Sequence, residues 1–321
     1  MQSPTPTEDS RPTGPVVWVL LATYQGARHL GEQLASIAGQ SGVNWRLLVS
    51  DDGSSDATLT ILAEFAATLS DPGRMVVMKG PCKGAAENFR QLISALPDGA
   101  DYAAFCDQDD VWRPDKLARA VEALAGVPAD VPGLYCARTL ICDEDLRPMG
   151  SSPGVRRPPS FRNALVQNIA SGNTMVLNRA GATLIKAANA EAGPIVIHDW
   201  WTYQLITGVG GKVIFDDQTV LFYRQHAHNE IGADVGISAV FGRARRLLRG
   251  DVGARNRINL HALADSADRL TIENRAVLAE FAHLLGPSRA NRLASLRRGR
   301  FYRQSRASHA ALWLAALLGK L

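Results

Sequence analysis

From Val16 to Leu124 the chain alternates between two patterns. The continuous apolar run VVWVLLA (Val16–Ala22) carries the mark of a strand buried on both faces, and WRLLVS (Trp45–Ser50), MVVM (Met75–Met78) and the buried run YAAFC (Tyr102–Cys106) read as three further strands. Each is followed by a stretch with helical spacing. Leu30, Leu34 and Ile37 set it in the first, Asp56 offers an N-cap to the second, AAENFRQLISAL forms the third, and Pro114 suits the first turn of a fourth over Pro114–Leu124. Strand followed by helix, repeated, predicts a parallel α/β sheet with right-handed crossovers. After Gly133 the order is less regular. GLYCARTLI reads as a strand, Phe161–Gln167 as a helix, NTMVLN as a strand, HDWWTYQLITG as a helix opening at His198–Trp200, and KVIF and VLFYR as two short strands. Beyond Gly236 nearly everything reads as arginine-rich helix. The expected organisation is a disordered lead over 1–14, one α/β domain over 15–235 with halves 15–130 and 131–235, and a basic helical region over 236–321.

Composition adds three constraints. With 46% hydrophobic residues in 321, the chain can bury a sizeable core. Four cysteines without C-x-x-C spacing argue against a zinc site or a disulfide framework and fit a reducing, cytoplasmic setting. The polar, proline-rich start has no apolar h-region, and no apolar stretch approaches the roughly 20 residues that span a bilayer. The formal charge of +4 hides an asymmetry, because arginine recurs every few residues from Arg243 onward. A basic end on a near-neutral body suggests attraction to a polyanion, either nucleic acid or an anionic membrane surface.

The polar clusters fall where the strands end. TYQG follows the first strand, SDDGSSD the second, KGPCKGAAEN the third and DQDD the fourth, and open α/β sheets bind ligands beyond the carboxyl ends of their strands. The first turn lacks both G-x-G-x-x-G and the P-loop pattern, so a diphosphate would need another source of neutralisation. Asp107, Asp109 and Asp110 can stay ionised together around a hard divalent cation. Mg²⁺ or Mn²⁺ suits such a site, since these ions take a few carboxylates and leave positions for phosphate oxygens. The alternative use of these carboxylates is helix capping and simple solvation.

The stretches LATYQGARHLGEQLASI, LLVSDDGSSDAT, KGAAENF, CDQDDVW, HDWW and YRQHAHNEIGA together resemble the family 2 glycosyltransferases, in particular bacterial rhamnosyltransferases of polysaccharide assembly. The resemblance runs from Val16 to Ala233. It implies a GT-A fold, a Rossmann-like, mostly parallel sheet flanked by helices, here with a C-terminal basic helical extension. It also implies an inverting, metal-dependent transfer of a sugar to a hydroxyl. By motif position it assigns Thr23, Tyr24, Asp51 and Asp52 to the nucleobase and ribose, and Lys83 and Gly84 to the border of the nucleotide. Asp107 falls to ribose or metal, Asp109 to the metal, Asp199 to the catalytic base, and Arg224 and His226 to the diphosphate or metal. Asp51 and Asp199 also have structural alternatives, as a turn-forming residue and as a helix N-cap. The implied partners are a nucleotide-sugar donor, dTDP-L-rhamnose or a UDP-sugar, and a glycan or lipid-linked glycan acceptor.

With that acceptor the basic tail reads as a peripheral anchor at the inner face of the cell membrane rather than a nucleic-acid arm. Leu312, Trp313, Leu314, Leu317 and Leu318 would enter the interface. The competing use of the tail is a helical subdomain or subunit contact. A UDP-hexose transferase and a catalytically silent nucleotide-binding or scaffold protein are the other readings of the whole.

Overall fold

The computed structural model describes residues 14–225 and 251–321. The expected lead, His226 and the arginines Arg243 to Arg249 lie outside the described residues. The four apolar runs form β1 (Val16–Thr23), β2 (Asn44–Asp51), β3 (Met75–Lys79) and β4 (Tyr102–Cys106). Between and after them lie α1 (Leu30–Ala38), α2 (Thr58–Ala67), α3 (Ala85–Ala95) and α4 (Lys116–Ala125). β1 pairs in parallel with β2 and β4, and β2 with β3.

Burial on both faces explains why β1, β2 and β4 lack polar alternation, whereas β3 is an edge strand whose Val76 and Val77 are exposed. Val17, Val19 and Leu21 pack with Leu30, Leu34, Leu62 and Leu117 from α1, α2 and α4 on one side. Leu20 faces Phe89, Leu92 and Ile93 of α3 on the other, together with α6 (Arg179–Asn189) and α7 (His198–Gly208). Successive residues of one strand therefore supply two separate cores.

The second half turns the sheet into a mixed one, with β5 (Val111–Trp112), β6 (Gly133–Cys142), β7 (Pro148–Ser151), β8 (Val176–Asn178) and β9 (Lys212–Arg224). The strand order is β3-β2-β1-β4-β8-β6-β9-β5, with β7 beside β6. β8 runs antiparallel to both β4 and β6, whereas β6 and β9 are parallel.

Three sequence expectations change here. KVIF and VLFYR are one strand, because β6 accompanies it throughout and the polar DDQ between them is taken up by register shifts near Arg138. Asp216 inside that irregularity accepts from Tyr135 Oη at 2.8 Å and from Arg119 at 2.8 Å, so the charge does not break the strand. The helix at Phe161 is shorter than expected, with α5 covering only Phe161–Ala164. The N-cap of α2 is Ala57, although Asp56 still accepts from the Thr58 N–H at 3.0 Å.

The C-terminal helices are α8 (Asp251–Asp265), α9 (Ile272–Leu284), α10 (Arg289–Gly299) and α11 (Arg306–Leu318). Thr271, Ser288 and Ser305 cap the last three by accepting from the N–H three residues on. The helices share a third core, in which Leu263, Phe281, Leu296, Phe301, Leu312 and Ala316 meet Phe161 and Leu165. Arg292, buried to 8% exposure, holds this end together by donating to the carbonyls of Ala316, Gly286 and Pro287. A cation at the carboxyl end of a helix also complements its dipole. Of the five apolar residues expected at an interface, Leu312 is core and Trp313 is partly covered, while Leu314 and Leu318 stay more than half exposed. No helix among the described residues is long and apolar enough to cross a membrane.

This packing has a measurable signature. Leu312→Ala is expected to lower unfolding stability by about 2–5 kcal/mol in urea titrations, and Leu314→Ala to change it by less than about 0.5 kcal/mol.

Candidate active site

The ends of β1, β2 and β3 are joined by carboxylates rather than by glycines. Thr23 Oγ1 donates to Asp51 Oδ2 at 2.8 Å, and the Ser54 hydroxyl reaches the same oxygen at 2.7 Å. The other oxygen of Asp51 accepts from the N–H groups of Gly53 and Ser54, which makes Asp51 a turn-former as well as a candidate ligand. Asp52 reaches across to the segment after β3. It accepts from the N–H groups of Cys82 at 2.6 Å, Lys83 at 3.4 Å and Gly84 at 2.7 Å. These are charge-assisted bonds, stronger than neutral ones, and they fix the segment. Gly84 is needed there because its φ of 87° lies in the left-handed region. Thr23, Asp51 and Asp52 are all buried, whereas Tyr24 and Lys83 are exposed at the rim. Asn88 of α3, unassigned from sequence, ties the same strand ends by donating to the Ser50 carbonyl at 2.9 Å.

The first turn is held just as firmly to the second. Gln25 takes a φ of 49°, costly for a residue with a side chain. Its side chain donates to Ser55 Oγ at 2.9 Å, and its N–H donates to Ser54 Oγ at 2.9 Å.

At the end of β4 the three aspartates part company. Asp107 and Asp109 are half-buried, but Asp110 is fully buried and accepts from Asn173 Nδ2 at 2.6 Å. Burial, reinforced by Asp109 and Asp107, pushes the Asp110 carboxyl well above the usual range. Asp110 therefore serves the interior, and Asp107 and Asp109 are the half-buried carboxylates of the loop. Below the loop lies Lys116, 0% exposed, its ammonium 3.0 Å from the centroid of the Trp112 ring. Burial brings that lysine down to about 7, against the opposing pull of Cys106 and Asp110. Arg224, at the end of β9 and 3% exposed, donates to the Asp109 carbonyl at 3.2 Å, to the Glu144 carbonyl and to the Glu32 carboxylate. Its charge stands directly behind the main chain of Asp109.

Among the described residues no three His, Cys, Asp or Glu side chains are gathered as a metal cage. Two half-buried carboxylates at an open strand end nevertheless suit a hard cation that completes its shell with phosphate oxygens. The donor chemistry of Asp107 and Asp109 fits Mg²⁺ or Mn²⁺ on those terms.

Asp199 sits in the first turn of α7 but does not cap it; the N-cap is Ile197, without a side-chain bond. One carboxylate oxygen accepts from the Trp200 N–H and the other from the Gly172 N–H at 3.1 Å. Burial lifts this carboxyl to about 6, against the stabilising N–H groups of Trp200 and Gly172 and the side chain of Asn168. Its neighbour His198 stacks on Phe89 with centroids 3.6 Å apart, and burial lowers it to about 3, which keeps the imidazole neutral. Of the two tryptophans, Trp201 is core, and Trp200 is half-buried with its indole N–H on the Ala164 carbonyl.

One short turn joins the two acidic centres. In Gly172–Thr174 the Gly172 N–H holds Asp199 while the Asn173 side chain holds Asp110. A Cβ on Gly172 would lie 2.7 Å from His198 Nε2, so only glycine lets this turn approach α7. Neither residue was picked out from the sequence. The only signal available was a polar SGNT directly before a buried strand.

Comparison with known proteins agrees with this architecture. Residues 18–180 match the model of the family described as Glycosyl transferase family 2. A dTDP-rhamnosyl transferase, RfbG of Shigella flexneri, is 30% identical over 233 residues, 70% of this chain and 77% of that one. Among solved structures, S. aureus TarS 1-349 superposes with a TM-score of 0.56 at 14% identity, covering 95% of this chain and 79% of its own. The mannosyltransferase PcManGT of Pyrobaculum calidifontis, solved with GDP-Man and Mn²⁺, gives 0.52 at 18% identity, covering 96% and 88%. The chain belongs to glycosyl transferase family 2 and is a glycosyltransferase with that family's GT-A fold.

Proposed function

We propose that this enzyme moves a sugar, with inversion and with a divalent cation, from a nucleoside diphosphate donor to a hydroxyl of a surface-polysaccharide acceptor. dTDP-L-rhamnose is the favoured donor, supported by the rhamnosyl transferase relative. The observation that carries the reading is Asp199. A carboxyl lifted to about 6 is ionised at neutral pH yet basic enough to accept a proton. It stands one turn away from the acidic loop.

In this reading Tyr24 at the rim and Thr23, Asp51 and Asp52 beneath it receive the nucleoside, with Lys83 and Gly84 along its border. Arg224 supports the main chain of Asp109 from behind, toward the diphosphate. Asp107 and Asp109 would hold the cation, with His226 as the further expected ligand, and the cation would neutralise the departing diphosphate. The acceptor oxygen forms its bond to the anomeric carbon as the bond to the diphosphate breaks. Asp199 takes the proton that the hydroxyl loses.

The reading includes a lipid-linked acceptor and peripheral contact with an anionic membrane surface on the cytoplasmic side. What supports the contact is the exposed pair Leu314 and Leu318 on α11, with Arg297, Arg300 and Arg306 exposed nearby in sequence. Cosedimentation with anionic vesicles is expected to fall when both leucines become serine, and also to fall at high salt.

Calorimetry with dTDP, UDP and GDP, each with and without Mn²⁺, tests the donor. Metal-dependent preference for dTDP is the expected result, preference for UDP moves the donor to a UDP-sugar, and binding of none overturns the reading. Asp199→Asn is expected to lower turnover about 10²–10⁴-fold while nucleotide binding persists. In the parent, kcat/KM should drop about tenfold per pH unit below about 6, as Asp199 becomes protonated. Stability moves the other way. The folded value of about 6 lies above the ordinary 3.8, so ionising Asp199 opposes folding, and stability falls as pH rises between the two. Thermal unfolding should show the Asn variant gaining on the parent from pH 4 to pH 7.

A further inference from the structure

Between the two expected metal ligands stands Gln108, a side chain with no task in the transfer outlined above. Its carboxamide makes a two-point pair with the main chain of Tyr24. The Tyr24 N–H donates to Oε1 at 2.9 Å, and Nε2 donates to the Tyr24 carbonyl at 2.9 Å. A primary amide presents the same donor and acceptor as a peptide group, so Gln108 acts on Tyr24 as a neighbouring strand would. Strand register explains the need. β1 and β4 are paired as far as Leu21 and Cys106. Tyr24 and Gln108 lie just beyond that point, past the end of the ladder.

A second observation shows that this contact is built into the chain. A Cβ on Gly26 would lie 2.2 Å from Gln108 Oε1 and 2.7 Å from its Cδ. Gly26 is not among the glycines with positive φ, so space for the carboxamide, rather than backbone conformation, calls for glycine here. The rest of the first turn is bonded to the opposite neighbour. Gln25 and Gly26 take Ser54 and Ser55 from the turn after β2 and Thr58 from the start of α2. Tyr24 is thus clamped on one side by the acidic loop, and its neighbours are held on the other by the second turn.

We infer that Gln108 is a positioning residue that couples the nucleobase side of the site to the cation side. The inference rests on the donor reading proposed above. Tyr24 carries the ring expected against the base, and the Gln108 main chain links Asp107 to Asp109. A ligand that orders either segment orders the same two hydrogen bonds, so each ligand favours the other. Such coupling is reciprocal and commonly reaches 5–150-fold.

The test measures Kd for dTDP and UDP by calorimetry, with and without Mn²⁺, and takes their ratio as the enhancement by the metal. In the parent the enhancement is expected to be large. Gln108→Ala should reduce it about tenfold and leave the ligand-free unfolding temperature near that of the parent. Gln108→Glu, nearly the same shape but without the Nε2 donor, should lose most of it as well. Gly26→Ala should reproduce Gln108→Ala, because its methyl displaces the carboxamide, and the double variant should be no worse than either single one. A parent-like enhancement in Gln108→Ala and Gln108→Glu overturns the inference, as does a double variant whose losses multiply. A parent that binds none of dTDP, UDP and GDP overturns the donor reading itself, a result that the variants cannot mimic.

Discussion

Mutual repulsion among Asp107, Asp109 and Asp110 is the constraint around which the site is organised. Two like charges about 4 Å apart near a protein surface cost about 4 kcal/mol unless solvent or partners intervene. The fold resolves this by separating the three. Asp110 is turned inward to Asn173 and held toward its neutral form. The main chain of Asp109 meets the Arg224 guanidinium, and Gln108 fastens the loop to the first turn. Two carboxylates are left half-buried at the strand end. The acidity of the motif is therefore divided between structure and chemistry before any ligand arrives.

The change in sheet direction after β4 serves the same end. Because β8 runs antiparallel to β4, the turn that precedes it arrives beside the carboxyl end of β4. That turn delivers Asn173 to Asp110 and the Gly172 N–H to Asp199. A wholly parallel sheet would have sent the preceding connection to the opposite edge. The first and second halves of the domain thus meet across three residues, and the buried His198–Phe89 stack locks α7 against α3 on the other side.

Much of this was legible in the sequence, and the exceptions have physical causes. Strands with few polar residues announce themselves as apolar runs, so β1, β2, β3 and β4 were found within a residue or two, the exposed edge strand β3 included. β5 has two residues and β7 is wholly exposed, so neither carries a hydrophobic pattern. β9 reads as two strands because a bulge absorbs its polar centre, and a bulge is a property of pairing rather than of the strand itself. In the site, the aspartates were visible as charges at strand ends. Their partners were not, because Asn173 lies 63 residues from Asp110 and Arg224 lies 115 from Asp109. Local spacing has no access to such pairs. The terminal helix shows the same limit, since its apolar residues are equally suited to lipid or to a core, and only tertiary packing assigns Leu312 to the latter.

The third core has a consequence for how the enzyme comes to exist. Phe161 and Leu165 share that core with Phe301, Leu312 and Leu321. The Ser160 hydroxyl meets the Tyr302 hydroxyl at 2.7 Å across 142 residues of sequence. During synthesis, Phe161 and Leu165 emerge well before the helices that cover them. Until those helices arrive, the nascent chain exposes this apolar surface. Joining such distant segments costs only slowly growing loop entropy, so the delay is one of order rather than of stability. The third core is completed last, as the final helices dock.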